Sequence, residues 1–255
     1  MNIELNGKTA MVTAASRGIG MAVAHALAAE GVRVAICARG ESMLTETFGK
    51  LNGEGHYMHV ADLTLSGAPQ KYFDNTIKAF ESIPDIVIHN LGGGAGIGDP
   101  LAPIKDWEMI WRLNFGVAIE LNNLLIPHMM KNNKGRLIHI SSVSGQENYG
   151  SAAYCSVKAA LNAYIKCMGR IFAKDGVVIC GIKPGAVYTK GGHWEKLKKE
   201  NPERLTKLLE EQLPTNKFSS PEEIANFVLF LCSKYASQSQ GSVMAFDGGM
   251  GRAFF

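Results

Sequence analysis

The chain has 255 residues, of which 46% are hydrophobic and 19% charged, and its formal net charge is only +3. This length allows a substantial core in one domain. The basic residues are scattered along the chain, which argues against a nucleic acid or a membrane surface as partner and favours a small molecule. The five cysteines show no paired metal-ligand spacing and no apolar run reaches the ~20 residues of a membrane span, so we expect no metal site, no membrane contact and a reducing cytoplasm.

Short apolar runs rich in branched residues predict strands at residues 9–13, 33–37, 86–89, 136–140, 177–182 and 243–246, with a further strand pattern just before Asp62. Helical periodicity predicts helices at residues 20–30, 65–80, 107–131, 153–174 and 221–233. Uniformly apolar strands separated by helices are typical of a parallel sheet covered on both faces. We therefore expect one α/β domain over residues 1–255, a Rossmann-like doubly wound sandwich with a seven-stranded, mainly parallel sheet.

Residues 190–217 differ from the rest because they are highly charged and have helical periodicity without a strand rhythm. An insertion late in a doubly wound sheet usually projects from the strand ends, where ligands bind. We interpret this segment as a substrate lid; the alternative is a solvated helical excursion.

The first predicted strand runs into a glycine-containing turn, TAASRGIG, at residues 13–20, and a helix follows. Such a strand-turn-helix unit holds a dinucleotide pyrophosphate against backbone N–H groups. Ala14 stands where the first glycine of the usual pattern is expected, so the turn alone does not distinguish this site from an ordinary tight turn. The cofactor-binding residues predicted here are Thr13, Ala15, Ser16, Arg17, Gly18, Ile19 and Gly20.

The second strand ends at Arg39 without an acidic residue. A carboxylate there would accept from a free ribose 2′-hydroxyl, whereas Arg39 and Arg17 are suited to a 2′-phosphate. This pattern predicts NADP(H) rather than NAD(H), unless Arg39 is only a surface cation. Asp62 is a candidate acceptor for the adenine amine, with a helix cap as its alternative role.

Tyr154 and Lys158 lie four residues apart in a predicted helix, so their side chains share one face. An adjacent ammonium favours the phenolate form of a tyrosine and brings its proton within catalytic reach. The spacing alone is common on helices, so the pair gains meaning only from the rest of the sequence.

From about Leu5 to Gly249 the chain resembles the short-chain dehydrogenase/reductase family, in the single-domain branch of the 3-oxoacyl reductases. The matching residues, in order, are the glycine turn, Asp62-Leu63, His89-Asn90-Leu91-Gly92, Asn114, Ser141-Ser142, Tyr154 with Lys158, Pro184-Gly185 with Thr189, and Asp247-Gly248-Gly249. His89 and Leu91 depart from the usual Asn-Asn-Ala-Gly pattern, which puts a substrate borrowed from any near relative in doubt.

The resemblance implies an oxidoreductase that transfers hydride between nicotinamide and a ketone or secondary alcohol, most simply a ketoreductase. It assigns Tyr154 as the general acid, and Lys158 as the group that lowers the phenol pKa and binds the nicotinamide ribose. Ser142 hydrogen-bonds the substrate oxygen, with Ser141 as its competitor, and Asn114 holds a water beside the lysine. The same resemblance places the cofactor against Ala61, Asp62, Leu63, Asn90, Gly92, Pro184, Gly185, Val187 and Thr189.

The substrate is open at this level. The substrate-binding residues expected beside Ser142 and Tyr154 are Asn148 and Tyr149 in the intervening loop and His193 and Trp194 in the lid, each with a surface role as its alternative. A 3-oxoacyl thioester would need cations that dock an acidic carrier. Lys134 is a candidate for this role, but Asp175 stands at another position where a cation would be expected, which weakens this interpretation. A polar sugar-derived or specialised-metabolite ketone is the rival substrate, and an idle NADP-binding sensor is the rival class of function. Relatives of this size imply a homotetramer, built through the long helices and the last strand.

Overall fold

A computed structural model describes residues 3–254 and contains one parallel sheet with the strand order β3-β2-β1-β4-β5-β6-β7. The strands are β1 Thr9–Thr13, β2 Arg33–Ala38, β3 Tyr57–Val60, β4 Ile86–His89, β5 Gly135–Ile140, β6 Val177–Pro184 and β7 Val243–Phe246. The described helices are α1 Gly18–Ala29, α2 Glu41–Phe48, α3 Ala68–Phe80, α4 Ile104–Trp111, α5 Val117–Lys131, α6 Ala152–Phe172, α7 His193–Glu200, α8 Pro202–Gln212 and α9 Pro221–Cys232. The predicted doubly wound sandwich is confirmed, and every strand pairing is parallel.

Two apolar cores lie on the two faces of the sheet because successive strand residues point to opposite sides. Val12, Ile88 and Ile138 face the core covered by α1, α2 and α9. Met11, Val87 and Leu137 face the core covered by α3, α5 and α6. Strands buried on both faces carry apolar side chains on both sides. The resulting uniformly apolar runs are what predicted these strands from the sequence.

The strand order reverses between β1 and β4, which opens a crevice at the carboxyl ends of these strands. Most of the predicted site residues follow carboxyl ends of strands, so the topology gathers them at this edge. The loops after β1, β2, β4, β5 and β6 all lead there.

Two local features differ from the sequence prediction, whereas the helical periodicity of the charged segment is confirmed. Helix α2 is absent from it, because its eight residues are mostly polar and bury only Leu44 and Thr47. The predicted helix at residues 107–131 begins earlier and contains one π-helical turn, Arg112–Gly116, between α4 and α5. The charged segment at 190–217 forms the two helices α7 and α8. None of the helices within residues 3–254 is long and apolar enough to cross a membrane.

Candidate active site

The turn after β1 brings the start of α1 close to the strand. Gly20 permits this approach, because a Cβ atom there would lie 2.5 Å from both the Ala14 carbonyl oxygen and Asn90 Nδ2. Ala14, in the place of the first expected glycine, has a φ of 53°, a left-handed conformation that is strained for alanine. The turn therefore keeps the glycine-type backbone path without its first glycine, and it leaves backbone N–H groups at the positive end of α1.

The loop after β4 is bonded to this turn. Asn90 Nδ2 donates to the carbonyl oxygens of Thr13, at 3.2 Å, and Ala14, at 3.1 Å. The Thr13 hydroxyl accepts from the backbone N–H groups of Asn90 and Leu91. Thr13 and Asn90, both predicted to bind the cofactor, thus join the two sides of the crevice through hydrogen bonds.

Arg39 and Asp62 meet at the ends of β2 and β3. Their side chains approach to 3.6 Å, and that of Arg39 is 75% exposed, so its guanidinium is open to a ligand. Asp62 Oδ1 accepts from the backbone and hydroxyl of Thr64. The neighbouring segment is fixed by a bond from the Ala61 N–H to the Ala38 carbonyl and by the burial of Leu63.

Arg17 contacts the start of the charged segment at 190–217. Its Nη1 donates to the carbonyl oxygen of Gly191, 2.9 Å away at the start of the predicted lid. Its place just before α1 directs the side chain across the strand ends, so Arg17 links the cofactor turn to the lid.

The π-helical turn places Asn114 inside the crevice, at a kind of helix irregularity that is frequent at functional sites. Asn114 Oδ1 accepts from the Gly93 N–H and Nδ2 donates to the Gly93 carbonyl, both at 2.9 Å, with a further bond to the Ile110 carbonyl. A Cβ atom on Gly92 would lie 2.7 Å from Asn114 Oδ1 and 3.2 Å from Lys158 Nζ. The glycine-rich loop is therefore fitted between Asn114 and the lysine.

Tyr154 and Lys158 stand on the first turns of α6, whose start is capped by Ser151 accepting from the Tyr154 N–H. Lys158 is 2% exposed, its Nζ donates to the Ile140 carbonyl oxygen at 3.0 Å, and it lies 5.7 Å from the centroid of the Tyr154 ring. The helix thus brings the two groups together as the spacing predicted.

Burial dominates the electrostatics of the pair. Burial raises the pKa of Tyr154, and the hydrogen bond with Ser142 opposes that rise. Burial lowers the pKa of Lys158 to about 8. The lowering of the phenol pKa by Lys158 stays a prediction; the Lys158 ammonium lies within the same buried site and donates to the Ile140 carbonyl oxygen.

The two adjacent serines have different surroundings. Ser141 is buried and its hydroxyl donates to Asn162 Oδ1 at 2.6 Å. Ser142 is half-buried, interacts with Tyr154 and accepts from the Ser144 N–H. Ser142 is therefore the serine beside the phenol, as the resemblance implied.

The loop after β6 closes the crevice on another side. The Gly185 N–H bonds to the Phe246 carbonyl, and Val187 pairs with Ser219 in an isolated bridge. The Thr189 carbonyl accepts from the Gly192 N–H and so leads into the lid. Pro184 ends β6 and is buried, which anchors this loop on the sheet.

Two of the four predicted substrate residues belong to one apolar cluster. Tyr149 and Trp194 pack against Val143, Met250 and their neighbours, and Trp194 also contacts Phe218. His193 and Asn148 are exposed. The predicted lid thus packs against the loop that joins Ser142 to Tyr154, and the Tyr149 hydroxyl donates to the Met250 carbonyl of the C-terminal segment.

The sequence prediction missed several residues that contact the site. Asn162 Oδ1 accepts a hydrogen bond from Ser141, the Gly191 carbonyl accepts one from Arg17, and His139 stacks on His89, which is bonded to Asn122. The available signal was the polar His139 in an otherwise apolar strand, in register with His89. Among residues 3–254 no group of three His, Cys, Asp or Glu side chains is placed to hold a metal ion.

Comparison with known proteins gives a consistent result at the level of sequence. A family model described as enoyl-(acyl carrier protein) reductase matches residues 13–251. The 3-oxoacyl-[acyl-carrier-protein] reductase of Aquifex aeolicus is 31% identical over 98% of this chain and 100% of its own length. The 7alpha-hydroxysteroid dehydrogenase of Escherichia coli is 28% identical over 97% of this chain and 96% of its own.

Solved structures agree with these sequence matches. L-sorbose reductase from Gluconobacter frateurii, complexed with NADPH and L-sorbose, is similar with a TM-score of 0.89 at 30% identity, over 100% of both chains. A 7alpha-hydroxysteroid dehydrogenase complexed with NADH and a 7-oxo bile acid is similar with a TM-score of 0.89 at 27% identity, over 100% of this chain and 98% of that one.

Proposed function

The chain belongs to the short-chain dehydrogenase/reductase family and is an NADP(H)-dependent oxidoreductase, and we propose that it reduces a compact polar ketone. The observation that carries the proposal is the meeting of Ser142, Tyr154 and Lys158 at the carboxyl edge of the sheet. Such a group can bind a carbonyl oxygen and protonate it.

The residues of the crevice fit the cofactor. Gly20 lets the first turn of α1, with its backbone N–H groups, lie close to the end of β1, and the exposed Arg39 offers a cation for a 2′-phosphate. The turn at residues 13–20, the segment 61–63, Asn90 and the loop 184–189 surround the same crevice. When bound, NADP(H) supplies the hydride that adds to the carbonyl carbon.

The protein supplies the proton and the orientation. Ser142 donates a hydrogen bond to the substrate oxygen, and the Tyr154 hydroxyl transfers its proton to that oxygen as negative charge develops there. The Lys158 ammonium stabilises the phenolate that Tyr154 becomes and binds the nicotinamide ribose. Asn114 holds the glycine loop against Lys158, so that the lysine keeps its position during the transfer.

The surroundings of Tyr154 support a compact substrate. Three segments contact one another here: the lid, the loop at residues 146–150 and the C-terminal segment. The apolar cluster with Trp194 joins them by packing. Glu147 Oε1 also accepts hydrogen bonds from the backbone N–H groups of Arg252 and Ala253. His193 and Asn148 add polar groups at the rim. The similarity to L-sorbose reductase supports the same class of substrate.

A 3-oxoacyl thioester is the second candidate, and the similarity to the Aquifex aeolicus reductase favours it. Lys134 stays the candidate cation for a carrier dock, and Asp175 stays the contrary sign. Lys134 pairs with Asp85, and Lys134 and Asp175 both precede strands, at the edge of the sheet opposite the crevice.

The test compares NADPH oxidation with a ketose and with a 3-oxoacyl thioester, for the parent and for Tyr154→Phe. We expect the ketose to give the higher kcat/KM and the variant to lose about 10³-fold in kcat while still binding NADPH. A higher kcat/KM for the thioester would replace the proposed substrate by the second candidate. Binding of NADPH without turnover of any ketone would contradict the reductase itself.

The role of Arg39 has a separate test. Arg39→Asp should weaken NADPH binding about tenfold or more and leave NADH binding almost unchanged, since only NADPH carries the 2′-phosphate. Equal affinities of the parent for the two cofactors, measured by titration, would contradict the assignment.

We also propose a cytoplasmic homotetramer. Its support is the set of exposed apolar side chains on and before the long helices, Leu101, Ile104, Met109, Trp111 and Ile171, together with five cysteines that are all free. Light scattering that gives a monomeric mass would contradict the assembly.

A further inference from the structure

Two buried histidines lie side by side beneath the active site. His89 ends β4, His139 lies next to it in β5, and their rings stack with centroids 4.4 Å apart. His89 is 5% exposed and His139 is 0% exposed. Neither is required by the chemistry described above, although both stand on the sheet face that carries Asn114 and Lys158.

The hydrogen bonds of this pair are incomplete. Asn122 Nδ2 donates to the Tyr164 hydroxyl, so its Oδ1 is the acceptor for His89 Nε2, at 2.7 Å, and His89 Nδ1 is left as an acceptor. Within residues 3–254, neither ring nitrogen of His139 has a hydrogen-bond partner, and both are buried. Buried polar atoms without a partner are rare in proteins, and an ordered water often completes them.

A cavity stands where such a water is needed. Its volume is about 10 Å³ for the centre of a water-sized sphere, close to the smallest space that holds one water molecule. His89, His139 and Asn114 line it, and the rest of its lining is apolar apart from Thr13, whose hydroxyl already has three partners.

The three lining groups complement one water molecule. A neutral His139 offers one ring N–H donor, while His89 Nδ1 and the second lone pair of Asn114 Oδ1 are acceptors. A water can accept one hydrogen bond and donate two, which is the number of partners typical of buried waters. Burial lowers the pKa of His89 to about 4 and that of His139 well below its ordinary value, so both rings are neutral at pH 7.

We propose that His139 and His89 bind a water in this cavity and, through it, act as positioning residues for Asn114. Asn114 in turn holds Gly93 with two bonds, and Gly92 fits against Lys158. The histidine pair therefore fixes the loop that confines the catalytic lysine. The effect on turnover rests on the proposed reductase function, whereas the water site does not.

The water is tested first on the parent protein. A crystal structure at high resolution should show one ordered water bonded to His139 and Asn114. A dry cavity would overturn the proposal, and this result does not depend on activity or on any variant. Failure of the reductase function would appear separately, as the absence of turnover in a protein that has the water.

The positioning role is tested with His139→Leu, His139→Gln and the control His128→Leu, an exposed histidine on α5. We expect His139→Leu to lower kcat about tenfold with little change in KM for the ketone, because a small displacement of the lysine affects the proton transfer more than binding. His139→Gln, which retains a donor, should recover most of the loss, and His128→Leu should match the parent.

Two results would overturn this role. One is parent-like kcat in His139→Leu. The other is an equal loss in the Leu and Gln variants, which would mean that only the packing of the imidazole matters. If His139→Leu does not fold, the Gln variant decides, since a kcat more than about tenfold below that of the parent would contradict recovery by a retained donor.

Discussion

The floor of the proposed active site and its proposed lid are held in different ways. In the floor, Asn114 and Lys158 are almost fully buried and each is fixed by hydrogen bonds to backbone groups. In the lid, the ion pairs Lys196–Glu200 and Lys207–Glu211 are exposed, and one small apolar cluster seats α7 and α8 on the rest of the chain. Exposed pairs of this kind contribute at most about 1 kcal/mol each.

This difference predicts that the floor governs the chemical step and that the lid governs which substrate binds. A change in the floor moves a buried, bonded group and should alter kcat. A change in the lid alters a half-exposed surface that is anchored at few points, and should alter KM. Such a division allows related proteins to differ in their substrates. In agreement with it, the chain is similar both to a sugar reductase and to a 3-oxoacyl reductase.

The largest effect is expected for Lys158→Met, which should reduce kcat by about 10³-fold because phenolate and ribose lose their cation. The same change should stabilise the fold. The pKa of Lys158 falls from 10.5 to about 8 on burial, so its destabilising contribution, roughly 3 kcal/mol, is complete below pH 8 and disappears as the pH rises to 10.5.

Urea denaturation at pH 7 and pH 10 tests this prediction, and Lys166→Met on the exposed side of α6 is the control. The gain for Lys158→Met should be larger at pH 7. A loss of stability at pH 7 would show that the bond to the Ile140 carbonyl outweighs the burial of the charge.

Gly92→Ala should lower kcat about 10²-fold, because the new methyl group would collide with Asn114 Oδ1 and displace the loop from Lys158. Gly94→Ala is the matched control in the same loop, since a Cβ atom there meets nothing within 4 Å. Equal kinetics for the two variants would mean that the floor tolerates movement of this loop.

Trp194→Ala tests the lid. Removal of the ring from the cluster with Phe218 should raise KM for the ketone about tenfold and leave kcat and NADPH affinity within about twofold. The exposed lid residue changed in Lys198→Ala serves as the control. A fall in kcat with constant KM would contradict the separation of floor and lid.

The smallest effect is expected for Ala14→Gly in the cofactor turn. It should stabilise the fold by up to about 1 kcal/mol, since glycine relieves the strain of a φ of 53°. Ala29→Gly, at the exposed end of α1, should destabilise by about 0.5–1 kcal/mol. Thermal unfolding of both variants gives the comparison, and two changes of the same sign would contradict the strain at Ala14.

The strands, the glycine turn and the Tyr154–Lys158 pair could be predicted because each is local. Apolar runs mark strands buried on two faces, and a four-residue step fixes which side chains share a helix face. Helix α2 escaped prediction because it buries only two residues, and the π-helical turn because it interrupts an otherwise regular helical pattern.

The sequence by itself determined the fold class, the order of the chemical groups and the preference for NADP(H), since these follow from periodicity and from residue types at fixed spacings. The tertiary structure decided which groups meet. It turned Ser141 towards Asn162 and left Ser142 beside Tyr154, sent Arg17 to the lid, and joined His89 to His139 beneath Asn114. These contacts join residues far apart in the chain, and their geometry, burial and pKa shifts exist only once the sheet has brought the strand ends together.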